Sequence, residues 1–167
     1  MKYLRLTPLI PLTLESDDVL GLKWWVDESY YMHIYYWSHT GDTSSLVKGY
    51  PYSKLSKQNM NTKSSTKAEL VGIDDMMPMI QWVRYFMGYQ GYHITDNIVY
   101  QDNQSTMLLS RNGKYSSRKR TKHISIRYFF VTDIIDNEDI PLEFSPTDYM
   151  IGDFFPKPTQ GSLFCKF

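Results

Sequence analysis

The chain has 167 residues, 42% hydrophobic and 22% charged, a balance that suits one domain with a real core and excludes a disordered tail. Eighteen lysines and arginines meet 18 aspartates and glutamates, so net charge points to no polyanionic partner and local distribution must carry any such affinity. The single cysteine, Cys165, excludes an intrachain disulfide, and no apolar run approaches the roughly 18 residues of a membrane span. Pro8 and Pro11 interrupt the one opening stretch that imitates a signal peptide, so a cytoplasmic or nuclear protein with no membrane partner is expected.

In chain order, Lys2 to Leu6 read as the close of a helix that starts upstream, and residues 1–20 as the tail of a preceding segment. Leu12 to Glu15 form a short alternating strand. Leu22 to Ser29 are rich in aromatic and β-branched residues and predict a strand, and another follows around Ile34 to Trp37. Gly41-Asp42 and Gly49-Tyr50-Pro51 read as turns, with strands at Ser45 to Lys48 and Tyr52 to Leu55 around the second. From Thr66 the period changes to threes and fours through Leu70, Ile73, Met77, Ile80, Val83 and Met87, the mark of a helix with one buried face. Pro78 predicts a kink or restart in it, and Gly88 to Gly91 its end.

Ile98 to Gln101 read as a buried strand and Asn103 to Ser110 as a short helix. A polar basic loop, Tyr115 to Arg120, precedes a second long helix from His123 to Ile135, with Ile124, Tyr128, Val131 and Ile135 on one stripe. Ile140 to Phe144 are a strand, and Thr147 to Phe155 a last helix stopped by Pro156 and Pro158. An antiparallel meander followed by alternating helices and strands predicts a mixed α/β sheet with helices on its faces, where polar site residues collect at strand ends.

Carboxylates stand at those strand ends. Asp27 closes the first clear strand, Asp102 closes Ile98 to Gln101, Glu69 opens the intervening helix, and Asp153 lies on the last one. Each has an ordinary reading: a turn aspartate for Asp27, a capping-box glutamate within Thr66-Lys67-Ala68-Glu69, an N-cap for Asp102, a solvated helix residue for Asp153. Together, in this element order, they fit a site that holds divalent cations around a phosphodiester. Asp74-Asp75 reads instead as solvated helix face. Lys114, Arg118, Lys119, Arg120, Lys122 and Arg127 form a basic run without an acidic residue, which is either a phosphate-tracking patch or a solvated loop. His33, His39 and His93 show no zinc-ligand spacing.

Lys63-Ser64-Ser65-Thr66-Lys67-Ala68-Glu69, Tyr100-Gln101-Asp102-Asn103-Gln104-Ser105, Lys122 to Phe130 and Gly152-Asp153-Phe154-Phe155-Pro156-Lys157-Pro158 resemble, in that order, the ribonuclease H domain of copia-type retrotransposon polyproteins. The resemblance implies a ribonuclease H-like fold over residues 21–158: a five-stranded mixed sheet, antiparallel meander plus parallel strands, flanked by helices. Residues 1–20 would then join a reverse transcriptase, and 159–167 would be a C-terminal tail. It also implies an acidic site of Asp27, Glu69, Asp102 and Asp153 and two Mg²⁺ ions about 4 Å apart, Mn²⁺ being an alternative. Asp27 would bridge both ions, Glu69 and Asp102 would each ligate one, and Asp153 would be the outer ligand.

The implied reaction is hydrolysis of the RNA strand of RNA–DNA hybrids during reverse transcription, beside a reverse transcriptase domain of the parent polyprotein in a cytoplasmic retroelement particle. Asn103, Gln104 and Ser105 would touch the sugar edge, and Arg118, Lys119, Arg120 and Lys122 the DNA phosphates. The sequence departs from the family pattern at Glu28, Lys67, Gly152 and Pro156. Those departures define the alternative, a remnant that binds nucleic acid without turnover. An integrase-type nuclease would place its glutamate after two aspartates, and here glutamate comes second.

Overall fold

The computed structural model describes residues 21–29, 39–46, 52–58, 62, 64–112, 122–137 and 140–154. Five strands, β1 (Gly21–Ser29), β2 (His39–Leu46), β3 (Tyr52–Lys57), β4 (Asp96–Gln101) and β5 (Leu142–Phe144), form one sheet in the order β3-β2-β1-β4-β5. Neighbours β1, β2 and β3 pair antiparallel, whereas β4 runs parallel to both β1 and β5. Helices α1 (Ser65–Tyr89), α2 (Gln104–Asn112) and α3 (Lys122–Asn137) supply the crossovers, and two short 3-10 turns, Thr147–Tyr149 and Ile151–Phe154, follow β5. This is the five-stranded mixed sheet with flanking helices that the sequence implies. The expected strands at residues 12–15 and 34–37, and the tails 1–20 and 159–167, lie outside the described residues.

The core follows from the two periodicities. Trp24 and Val26 on β1, Val99 on β4, and Leu70, Ile73, Met77 and Ile80 on α1 are fully buried together. On α3 the buried positions are Val131 and Ile134, with Ile135 half-buried. The buried indole of Trp24 donates to Asn97 Oδ1 at 2.7 Å, satisfying a polar atom that burial would otherwise leave unpaired. Across the same strand pair Trp25 and Tyr100 stack at 5.3 Å. Gly72 lets α1 approach the sheet, because a Cβ there would meet Thr40 Cγ2 at 3.0 Å.

Three local expectations are corrected. Gly41-Asp42 is not a turn but lies inside β2, where Gly41 opposes Asp27 and Asp42 opposes Lys54. A glycine within a strand marks the close approach of another backbone, and Gly41 faces the second 3-10 turn. Of the kink or restart expected at Pro78 the restart does not occur: α1 runs through as one helix, its buried N-terminal half holding it to β1. It ends where Gly91 takes φ +90 and the Tyr92 N–H returns to the Met87 carbonyl at 3.0 Å. The last helix is two 3-10 turns separated by the extended residue Met150. No helix among the described residues is long and apolar enough to cross a membrane.

Candidate metal centre

Strand β4 pairs with β1 only as far as Trp25↔Tyr100. Continuing that parallel register by two residues on each strand brings Asp27 level with Asp102, so both aspartates lie where the sheet opens. Glu69 reaches the same point from α1. The helix starts at Ser65, with the Ser64 carbonyl accepting from the Lys67 and Ala68 N–H groups, and its first turn holds no acidic residue. Glu69 is therefore not the capping-box glutamate that Thr66 to Glu69 suggests. The N-cap role expected of Asp102 falls instead to Asn103, whose Oδ1 accepts from the Thr106 N–H at 3.2 Å. Both carboxylates are thus released from helix-capping duty.

One carboxylate oxygen from each of Asp27, Glu69 and Asp102 lies within 4.8 Å of the others. Asp27 and Glu69 are buried, and Asp102 is partly exposed, so the cluster opens to solvent on the Asp102 side. Thr147 Oγ1 donates to Asp102 Oδ2 at 3.0 Å and tethers that opening to the first 3-10 turn. Burial, followed by the charges of Asp27, Glu28 and Asp102, pushes the Glu69 carboxyl well above the usual carboxylate range; a hydrogen bond from Gln101 pulls the other way. Glu28 is itself buried at the end of β1. Hard oxygen donors this close suit a hard divalent cation, which would relieve both the repulsion and the desolvation. The donor set fits the ion.

The backbone of Asp153 lies in the second 3-10 turn, which packs on β1 through Gly152, while its side chain lies outside the described residues. Gln104 and Ser105 are exposed at the start of α2, two and three residues after Asp102. Arg118, Lys119 and Arg120 lie outside the described residues, and for Lys122 only the backbone at the start of α3 is described. Arg127, from the same basic run, is engaged elsewhere: it ion-pairs with Asp74 and, at 2.8 Å, with Asp75. Asp74 is accordingly not solvated helix face but a half-buried partner of α3. Gln101 and Thr147 were not evident as site residues. The signal for Gln101 is period two, which puts an amide on the same inward face of β4 as Val99.

No family model matches the chain. Over 105 residues it is 30% identical to the retrovirus-related Pol polyprotein from transposon TNT 1-94 of Nicotiana tabacum, covering 62% of this chain and 8% of that protein. An alignment of 176 positions with the Pol polyprotein from transposon RE1 of Arabidopsis thaliana covers the whole chain at 25% identity and 11% of the relative. The chain therefore spans about a tenth of these relatives. Among solved structures, LC11-RNase H1, isolated from compost by a metagenomic approach, superposes with a TM-score of 0.53 over 78% of this chain and 87% of that one, at 8% identity. The same enzyme in complex with an RNA/DNA hybrid superposes with the same TM-score over 78% of this chain and 89% of that chain, also at 8% identity.

Proposed function

We propose that this chain, a ribonuclease H-fold domain related in sequence to the Pol polyproteins of copia-type transposons, hydrolyses the RNA strand of RNA–DNA hybrids with the help of Mg²⁺. The observation that carries the reading is the convergence of Asp27, Glu69 and Asp102 from two strand ends and a helix. The ribonuclease H neighbour that holds an RNA/DNA hybrid supports the same substrate.

Asp27 would serve both ions, Glu69 and Asp102 would each hold one, and Asp153 would be the outer ligand. Bound ions supply Lewis-acid chemistry: they lower the pKa of an attacking water and stabilise the departing 3′ oxygen. The chain's own residues do the rest. Buried Asp27 and Glu69 fix the site on rigid elements, and partly exposed Asp102 marks the side from which a phosphodiester enters. Thr147 holds Asp102 in orientation. Asn103, Gln104 and Ser105 stand next to Asp102, where the 2′-hydroxyls of a minor groove would lie, and Arg118, Lys119, Arg120 and Lys122 would contact the DNA phosphates. The reverse transcriptase of a parent polyprotein is the proposed neighbour of the domain.

The test is cleavage of a labelled RNA–DNA hybrid by the purified chain with Mg²⁺, against Asp102→Asn. Mg²⁺-dependent cutting of the RNA strand, lost in the variant, is expected. Cutting no greater than that of the variant means a remnant without turnover.

A further inference from the structure

The inward face of β4 presents Asn97, Val99 and Gln101, all buried, and Gln101 has no exposed surface at all. An amide so placed needs partners for its two N–H groups and its oxygen, and all are satisfied. Its oxygen accepts the backbone N–H of Asp102 at 2.8 Å and of Asn103 at 3.0 Å. Its nitrogen donates to Glu69 Oε2 at 3.1 Å and to the Val26 carbonyl at 3.4 Å. The two backbone donors fix the amide's orientation, since a flipped amide would set N–H against N–H.

These bonds run to the places from which the carboxylates project. Val26 immediately precedes Asp27 on β1, Glu69 belongs to α1, and Asp102 begins the turn after β4. Gln101 fills the gap where β4 parts from β1 and ties all three sides of it. An apolar residue of equal volume would fill the space but hold none of them.

We propose that Gln101 is a positioning residue for the metal centre: its amide sets Glu69 and Asp102 at cation-sharing distance across the open end of the sheet. The proposal rests on the metal-dependent reading above, and its test is chosen to separate the two. Orienting partners one bond removed from a metal typically change its affinity by about 10–100-fold when lost.

The experiment measures Mn²⁺ binding to the full chain by the electron paramagnetic resonance signal of free Mn²⁺, with thermal unfolding and hybrid cleavage in parallel. The variants are Gln101→Met, which keeps volume without an amide, and Gln101→Asn, which keeps an amide too short to span the gap and serves if the methionine variant does not fold. Val99→Ala is the control for simple loss of packing on the same strand. The expected result is Mn²⁺ affinity lowered about 10–100-fold in the Gln101 variants and little changed in Val99→Ala. The Mg²⁺ concentration for half-maximal cleavage should rise in step, with KM for the hybrid at saturating Mg²⁺ unchanged. Unaltered Mn²⁺ affinity in a folded Gln101 variant, or an equal loss in Val99→Ala, overturns the proposal. A native chain that binds Mn²⁺ but leaves the hybrid intact overturns the nuclease reading alone; one that binds no Mn²⁺ overturns both.

Discussion

Gly152 packs directly on Asp27: a Cβ at position 152 would lie 3.1 Å from the Asp27 Cβ and 3.3 Å from its backbone nitrogen. The Gly41 carbonyl would be 3.4 Å away. By sequence alone this glycine is only a departure from the family pattern. In the fold it is the clearance that lets the second 3-10 turn reach the strand end carrying Asp27. Gly152→Ala must push away either the turn or Asp27, at a cost of about 1–3 kcal/mol. Thermal unfolding and Mn²⁺ titration should both register the change; a variant with native values in both refutes the contact.

Glu69→Gln separates stability from chemistry. The folded-state pKa of Glu69 is raised by burial and by neighbouring carboxylates, so its favourable contribution is complete below the unfolded pKa and is lost as pH rises through the folded one. Above the unfolded pKa, in chelator, the fold therefore disfavours the ionised form of this group. Glutamine removes that charge and still offers an oxygen to Gln101. The melting temperature should rise by a few degrees while Mg²⁺-dependent cleavage disappears. A fall in melting temperature would show that the cluster does not store the repulsion.

Asp42 gives a second, independent pH signature. It lines a cavity of about 480 Å³ with Tyr52, Met76 and Trp82, and burial pushes its carboxyl up to about 7, opposed by Lys54 and assisted by Asp75. The sign matches that of Glu69: stability declines between about pH 4 and pH 7 as the unfolded chain releases the proton first, then levels off. Asp42→Asn should flatten its share of that slope, gaining at most about 4 kcal/mol at pH 8 and almost nothing at pH 4. Urea unfolding at both values, without metal, decides it.

Arg127 is a brace between helices. It reaches from α3 to Asp74 and Asp75 on α1; burial raises the pKa of Asp74, and the guanidinium opposes that rise. Arg127→Met should destabilise the domain by about 1–3 kcal/mol by leaving Asp74 without its partner. Hybrid affinity should keep its salt dependence. A slope of affinity against salt that flattens by about one phosphate contact would return Arg127 to the nucleic-acid surface.

What the chain disclosed by itself follows its periodicities. The threes and fours from Leu70 to Ile80 and the β-branched, aromatic run at β1 are local patterns, and they located α1, β1 and β4 closely. Asp27, Glu69 and Asp102 were legible because each lies within a few residues of an element's end. The strand through Gly41 was not, because glycine beside aspartate is ordinary turn chemistry until a distant turn packs against it. Asp74 read as solvated for a similar reason: its partner lies 53 residues away, and no window of sequence holds both. Period two places Gln101 on the inward face of β4 but does not reveal its bond to a carboxylate, and Thr147 carries no periodic signal.

The parallel pairing of β1 with β4 governs when the cluster can exist. Strand β4 docks only after the whole of α1 has been made and folded back, a long loop closure that precedes any reward from the contacts it brings. A nascent chain still short of Asp102 holds Asp27 and Glu69 without the residue that completes the trio. The order of synthesis thus sets the order of assembly: the trio is completed only when Asp102 follows β4, with α2, α3 and β5 still to be made.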